Sequence, residues 1–198
     1  MPVVSRETAF ALERYETLFR SWNARINLAA PSTLNDFRRR HIADSLQLLD
    51  LAEPNRQWID LGSGGGLPGI PLGILLAEQA DGHIHLVESN RKKTAFLLTC
   101  AAQCGAAATV HSVRIEVAPE RVGSVDYVTA RALAPLPELL HLAGPWLNQG
   151  AVGLFHKGRD YQREIDAAKR QFRFDLTVHD STIDSESVIL RIQNPVQL

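Results

Sequence analysis

The apolar positions of this chain follow three different periods. From residue 6 to 28 they recur every three or four residues, through Ala11, Tyr15, Leu18, Trp22 and Ile26, while Glu13, Arg14, Glu16 and Arg20 fall largely on the other side. That period predicts an amphipathic helix. Pro31 and Ser32 interrupt it, and Leu34, Phe37, Ile42, Leu46 and Leu49 predict one or two further short helices up to about Leu51. Glu53-Pro54-Asn55 then separates this helical part from a regular alternation. Apolar runs at 57–61, 83–88, 107–112, 125–130 and 150–156 read as strands, and helices are expected over 69–79, 91–104, about 136–147 and 160–171. Phe172 to His179 alternates strictly, so one face of that strand meets water, whereas Val188-Ile189-Leu190-Arg191-Ile192 is nearly continuous and reads as interior. No helix fits between these last two, so they are expected as antiparallel neighbours.

The first strand ends in Asp60 and runs into Gly62-Ser63-Gly64-Gly65-Gly66-Leu67-Pro68-Gly69, after which Pro71 falls in a first helical turn. Strand, glycine loop and helix is an arrangement in which backbone N–H groups meet a ligand at close range. Gly64-x-Gly66-x-x-Gly69 fits a dinucleotide fingerprint, which alone says little. An acid directly before the glycines (Asp60) and a second acid closing the next strand (Glu88) match the usual layout of an S-adenosyl-L-methionine (SAM) site, with Glu88 on the ribose hydroxyls. Five strands in βα order plus a terminal antiparallel pair predict an α/β fold. Its Rossmann-like seven-stranded sheet ends in an antiparallel strand, as in the class I SAM-dependent methyltransferases. One methyltransferase domain over 1–198 is expected, with an N-terminal helical cap over 1–53 and the SAM-binding core over 54–198. In such a sheet the ligand lies at the carboxyl ends of the strands, where Asp60, Glu88, Ser112 to Glu116, Arg131 and Lys157 fall.

Charge alters this picture little. The net charge is -1, so no global field draws nucleic acid, and any RNA contact has to come from local basic clusters, of which Arg38-Arg39-Arg40-His41 and Arg91-Lys92-Lys93 stand out. No apolar run approaches the roughly 20 residues that cross a bilayer, and Met1 to Glu7 does not resemble a signal peptide. A cytoplasmic monomer without a membrane partner is expected. Cys100 and Cys104 lie one helical turn apart and read as buried thiols, with no partner pair for a metal.

Several catalytic devices are missing. There is no nucleophile elbow and no Walker loop. After the fourth strand, where amine methyltransferases carry Asn/Asp-Pro-Pro-aromatic, the chain reads Val128-Thr129-Ala130-Arg131-Ala132, and neither cysteine is at a strand end. An acceptor needing neither device has a free lone pair, as guanine N7 does. Alignment with the methyl donor then suffices. An NAD-dependent oxidoreductase is the alternative within enzymes, although Tyr127 and Tyr161 lack the Tyr-x-x-x-Lys spacing; a non-catalytic RNA-binding module is the alternative outside them.

Trp22 to Leu28, Arg40-His41-Ile42-Ala43-Asp44-Ser45-Leu46, Asp60 to Leu72, Leu86-Val87-Glu88-Ser89 with Lys92 and Lys93, Arg114-Ile115-Glu116, Arg131-Ala132 and Lys157-Gly158 occur in this order. Together they resemble the glucose-inhibited division protein B family. The resemblance implies SAM-dependent methylation of N7 of one guanine in the 530 loop of bacterial 16S rRNA (position 527 in rRNA numbering), on rRNA or the small ribosomal subunit, releasing S-adenosyl-L-homocysteine. It implies SAM contacts from Gly62, Leu67, Ile115, Glu116 and Arg131, with Glu88 on the ribose. Asp60, Gly64 and Gly66 belong to the same loop, and Arg131 is the residue expected to position the reactants. Arg38, Arg39, Arg40, Arg91, Lys92, Lys93 and Lys157 are the candidate RNA contacts. Each has a plain alternative: Arg131 could pair with Asp60 or Glu88, His41 with Asp44, and Lys157 could be solvated. Gly65, where some relatives carry Ala or Pro, suggests a looser loop.

Overall fold

The computed structural model describes residues 4–198, with the side chains of 31–33 excepted; Met1 to Val3, part of the segment compared with a signal peptide, lie outside the described residues. Helix α1 (Arg6–Ile26) starts at Ser5, whose hydroxyl accepts the Thr8 N–H at 3.0 Å. It buries Leu12, Tyr15 and Phe19, and Trp22 packs beside Phe96. The expected second helical region is a run of short turns: a 3-10 helix at Pro31–Asp36, a π-helical turn at Arg38–Ala43, α2 (Asp44–Leu46) and a 3-10 helix at Gln47–Leu51. The wide π turn buries His41, Ile42 and Ala43 in succession. No helical period predicts three consecutive buried residues.

The sheet has seven strands: β1 (Gln57–Leu61), β2 (His83–Val87), β3 (Ala108–His111), β4 (Tyr127–Arg131), β5 (Val152–Lys157), β6 (Phe172–Asp180) and β7 (Val188–Gln197). Their order is β3-β2-β1-β4-β5-β7-β6, with β1 to β5 parallel and β7 antiparallel to both its neighbours. The order reverses between β1 and β4, which opens the ligand crevice of such sheets at that point. On one face α1, α3 (Gly69–Leu76), α4 (Arg91–Cys104) and the short turns enclose a core around Phe19, Trp58, Ile70 and Phe96. On the other, α5 (Leu136–Leu147) and α6 (Tyr161–Lys169) enclose a second around Ile59, Trp146 and Phe155. All eight residues of α3 are buried, as expected of a helix apolar all round.

Asn90 caps α4, its side chain accepting the N–H groups of Lys92 and Lys93. The β3–β4 connection carries a 3-10 helix, Ile115–Glu120, that the apolar pattern does not show. β7 runs five residues beyond Ile192. There it pairs only with β6, next to a register shift between Arg173 and Asp175, so Pro195 is accommodated where one side is open. No helix among the described residues is long and apolar enough to cross a membrane.

Candidate active site

The glycine loop is built by backbone. Gly62, Gly64 and Gly66 take φ of 67°, 53° and 77°, the left-handed region that only glycine enters freely. At two of them space is also closed: a Cβ on Gly66 would stand 2.6 Å from Ile70 Cγ1, and one on Gly62 would stand 2.6 Å from Leu133 Cδ1. Around Gly64 the space is open, the nearest atom being 3.6 Å from such a Cβ. Glu88 closes the other side. Its Oε2 accepts the Gly64 N–H at 2.9 Å and its Oε1 the Asn90 N–H at 2.7 Å, and each carboxylate oxygen keeps further acceptor capacity. Gly65 is held, not loose: its carbonyl accepts the Tyr15 hydroxyl at 2.6 Å, and a Cβ there would meet Phe19 Cε2 at 2.8 Å. The close approach of α1 therefore explains this glycine and corrects the expectation of a loose loop.

Asp60 is placed differently from expectation. Its carboxyl is sealed beneath the loop, 1 % exposed, with neither oxygen in a hydrogen bond of good geometry. A Cβ on Gly69 would lie 2.7 Å from its Oδ2. Burial pushes its pKa up to about 7, opposed in part by the nearby Ser63 and Gly69 donors and by Arg131. It supports the loop from below and is closed to a ligand above. Leu67 is buried in the loop, while Ile115 and Glu116 open the 3-10 helix after β3. Glu116 is exposed; its own backbone N–H and Arg114 hold its pKa below the usual carboxylate value.

Beside the loop, at the ends of β4 and β5, lies a cavity of about 1180 Å³ with Arg39, Arg40, Arg131 and the 181–187 turn on its walls. Arg131 is its centre. Nη1 donates to Asp44 Oδ2 at 2.9 Å and Nη2 to His41 Nδ1 at 2.7 Å. His41 and Asp44 thus converge on Arg131, and neither Asp60 nor Glu88 is its ion-pair partner. A guanidinium only donates, so His41 Nδ1 is the acceptor. Burial first and the Arg131 charge second lower the His41 pKa to about 4. His156, opposite Arg131 in the β4–β5 register, brings Nε2 to the Asp44 carbonyl at 2.9 Å. That nitrogen must carry the proton, which leaves Nδ1 a bare, buried lone pair. Burial lowers the His156 pKa as well. Both imidazoles are therefore neutral near neutral pH, around one Arg–Asp pair.

The cations expected on RNA divide. Arg38 turns to α1 and pairs with Glu16 at 2.8 Å and Glu13 at 3.4 Å, so its charge is already matched. Arg39 and Arg40 are exposed at the cavity mouth, where Arg39 Nη2 donates to the Ile183 carbonyl at 3.1 Å. Arg91, Lys92 and Lys93 occupy the first turn of α4, where the helix dipole disfavours cations; Arg91 and Lys92 are exposed. Lys157 corrects the expectation of a phosphate contact: its side chain is 7 % exposed and its ammonium donates to Glu164 at 2.6 Å and to the Ala134 carbonyl at 2.7 Å. Its charge is matched before any RNA arrives.

Spacing did not single out His156, Leu133, Glu164 or the 181–187 turn. They reach the site through strand order and register, which no local pattern carries. Cys100 and Cys104 are buried free thiols, and burial raises both pKa values. No group of three metal-ligating side chains occurs among the described residues.

The chain is similar to proteins named ribosomal RNA small subunit methyltransferase G. The one from Rhizobium rhizogenes is 53% identical over 194 residues, covering 97% of this chain and 95% of the relative; that from Brucella ovis is 55% identical over 194 residues, covering 98% and 91%. Among solved structures, an MtNAS variant in complex with S-adenosylmethionine aligns at TM-score 0.61 with 14% identity, covering 94% of this chain and 76% of that one. A fibrillarin/Nop5p complex aligns at TM-score 0.60 with 12% identity, covering 80% and 82%. Those likenesses show the fold. The oxidoreductase and non-catalytic alternatives give way to the sequence relatives. The family model described as rRNA small subunit methyltransferase G (GidB) matches residues 9–189, more than half of the chain, and the chain belongs to that family.

Proposed function

We propose that this chain binds SAM at the glycine loop and methylates N7 of the guanine in the 530 loop of 16S rRNA, presented in the rRNA or the small subunit. One observation carries the reading: Leu133, packed on Gly62 of the loop, also lines the cavity in which Asp44 and His41 hold Arg131. SAM supplies an electrophilic methyl when bound. The residues present fit it: Gly64 leaves the approach open, and Glu88 offers carboxylate oxygens where a ribose diol would need acceptors.

Guanine N7 holds a free lone pair, so no proton has to be removed. His41 suits that requirement, since its Nδ1 is taken by Arg131 and its low pKa keeps it neutral. Arg131, fixed on two sides, keeps N–H groups to donate to guanine O6, a contact typical of arginine. Methylation leaves a positive charge on the base. Asp44, paired with Arg131, prevents that charge from facing an unmatched guanidinium. The exposed cations Arg39, Arg40, Arg91 and Lys92 hold the RNA backbone around the cleft. The test is incubation of 16S rRNA and of 30S subunits with the protein and SAM, followed by mass mapping. A single added methyl on N7 of the 530-loop guanine is expected; no methylation of either, or methylation elsewhere, refutes the reading.

A further inference from the structure

Lys157 and Glu164 do something the sequence does not announce. Residues Ala132 to Pro135, between β4 and α5, line the cavity, and Leu133 among them also packs on the glycine loop. Leu133 leans on Gly62, with Cδ1 only 2.6 Å from where a Cβ would stand. Ala132 holds φ 53°, a left-handed backbone that is unfavourable for a residue with a Cβ. The wall contains no glycine to relieve that conformation. Left to itself, such a segment would relax.

Two side chains oppose this from outside the segment. Lys157, at the end of β5, donates to the Ala134 carbonyl at 2.7 Å and to Glu164 Oε2 at 2.6 Å. The same Oε2 accepts the Leu136 N–H at 2.8 Å. The N-cap of α5, Pro135, makes no side-chain cap hydrogen bond, so Glu164 from α6 caps α5 across the chain. A carboxylate there is also favoured by the helix dipole. Residues 134 and 136 are thereby fastened on either side of Pro135 by one ion pair, its lysine buried and its glutamate partly exposed.

We propose that Lys157 and Glu164 are positioning residues for methyl transfer: they clamp the 132–136 wall so that Leu133 and Arg131 hold donor and base in line. This rests on the proposed function, since the wall matters only if both reactants meet there. It also replaces the phosphate contact expected of Lys157. The pair is charge-neutral, so it adds nothing to RNA attraction; its effect is on alignment, where a shift of about 1 Å can cost roughly 100-fold in rate.

The test uses the full chain and three variants, Lys157→Met, Glu164→Gln and, as rescue, Lys157→Arg. Single-turnover methylation, RNA affinity over a salt series and amide exchange of the ligand-free protein are measured on each. Lys157→Met and Glu164→Gln should lose about tenfold or more in rate with RNA affinity and salt slope unchanged. The Leu136 amide should exchange faster in both while Val128, in β4, stays protected. Lys157→Arg should recover most of the rate. A salt slope reduced by roughly 0.7–0.9, the signature of a lost phosphate contact, overturns the proposal. So does a wild-type rate in either of the first two variants, or unchanged Leu136 exchange in both. If the wild-type protein methylates no guanine N7 but Leu136 exchange responds as stated, the proposed function fails and the clamp stands.

Discussion

The glycine loop and the Arg131 cavity lie side by side at the carboxyl ends of the central strands, yet they are made of different things. The loop is a continuous stretch whose backbone is shaped by glycine conformations and pinned by one acid. The cavity is assembled from side chains at positions 41, 44, 131 and 156, brought together by strand order and a π turn. A backbone site tolerates substitution of most neighbours but not of its glycines. A side-chain network fails when any member leaves, because the others are largely shielded from water and lose their partner. The two halves should therefore fail in separable ways.

The largest effect should come from Arg131→Ala. Removing a donor aimed at the reacting base costs about 10²–10³-fold in rate, and it also unpairs Asp44, whereas SAM affinity measured by calorimetry should change little. An equal loss in SAM affinity would show that the halves are one site. Next is Glu88→Ala, which removes the acid that gathers Gly64 and Asn90. SAM binding should weaken by about 1.5–3 kcal/mol, the scale of a hydrogen bond to a charged group, with RNA affinity unaltered. Unchanged calorimetric affinity in a folded variant would remove Glu88 from the ribose.

A smaller effect concerns Asp60. Its folded pKa, raised by burial to about 7, exceeds the ordinary value of 3.8. The native state then holds the proton more firmly than the unfolded chain, so this group's contribution to stability is full below about pH 4 and is lost as pH climbs through 7. Asp60→Asn should flatten that loss and raise stability at pH 8 by roughly 2 kcal/mol, part of what the shift alone would give, since the amide needs partners too. Denaturation at pH 5 and pH 8 checks the sign; an Asn variant less stable at pH 8 than at pH 5, by the same margin as wild type, would contradict it. Smallest is Arg39→Ala at the exposed rim. It should lower the slope of log K for RNA against log salt by roughly 0.7–0.9 and leave SAM affinity alone. An unchanged slope would place Arg39 off the RNA and leave its bond to Ile183 as its role.

The same contrast explains what could be read from the chain. Asp60 to Gly69 and Glu88 were legible because a βα turn packs its chemistry into consecutive residues. The strand series was legible because parallel strands are apolar runs bounded by turn residues. Arg131 was legible by position, at a strand end, but its partners were not: Asp44 lies 87 residues away and reaches it through packing. Lys157 was misread because a lysine at a strand end looks solvated until Glu164, seven residues on, turns back to meet it. Asp60 was placed at the right end of the right strand, and only the structure shows its carboxyl closed off. The far half of β7 was hidden since Gln193, Asn194 and Pro195 carry no strand period and pair with a single neighbour.

The place of β7 has a consequence in time. It lies between β5 and β6 but is synthesised after both. While the chain is being made, β6 emerges with no neighbour to bond, and β5 presents an open edge of N–H and C=O groups. Both are templates for association with other chains. The edge closes only when residues 188–197 are free to slide between them. A member of a ribosomal-RNA methyltransferase family thus completes its own sheet only after its last strand has left the ribosome that translates it.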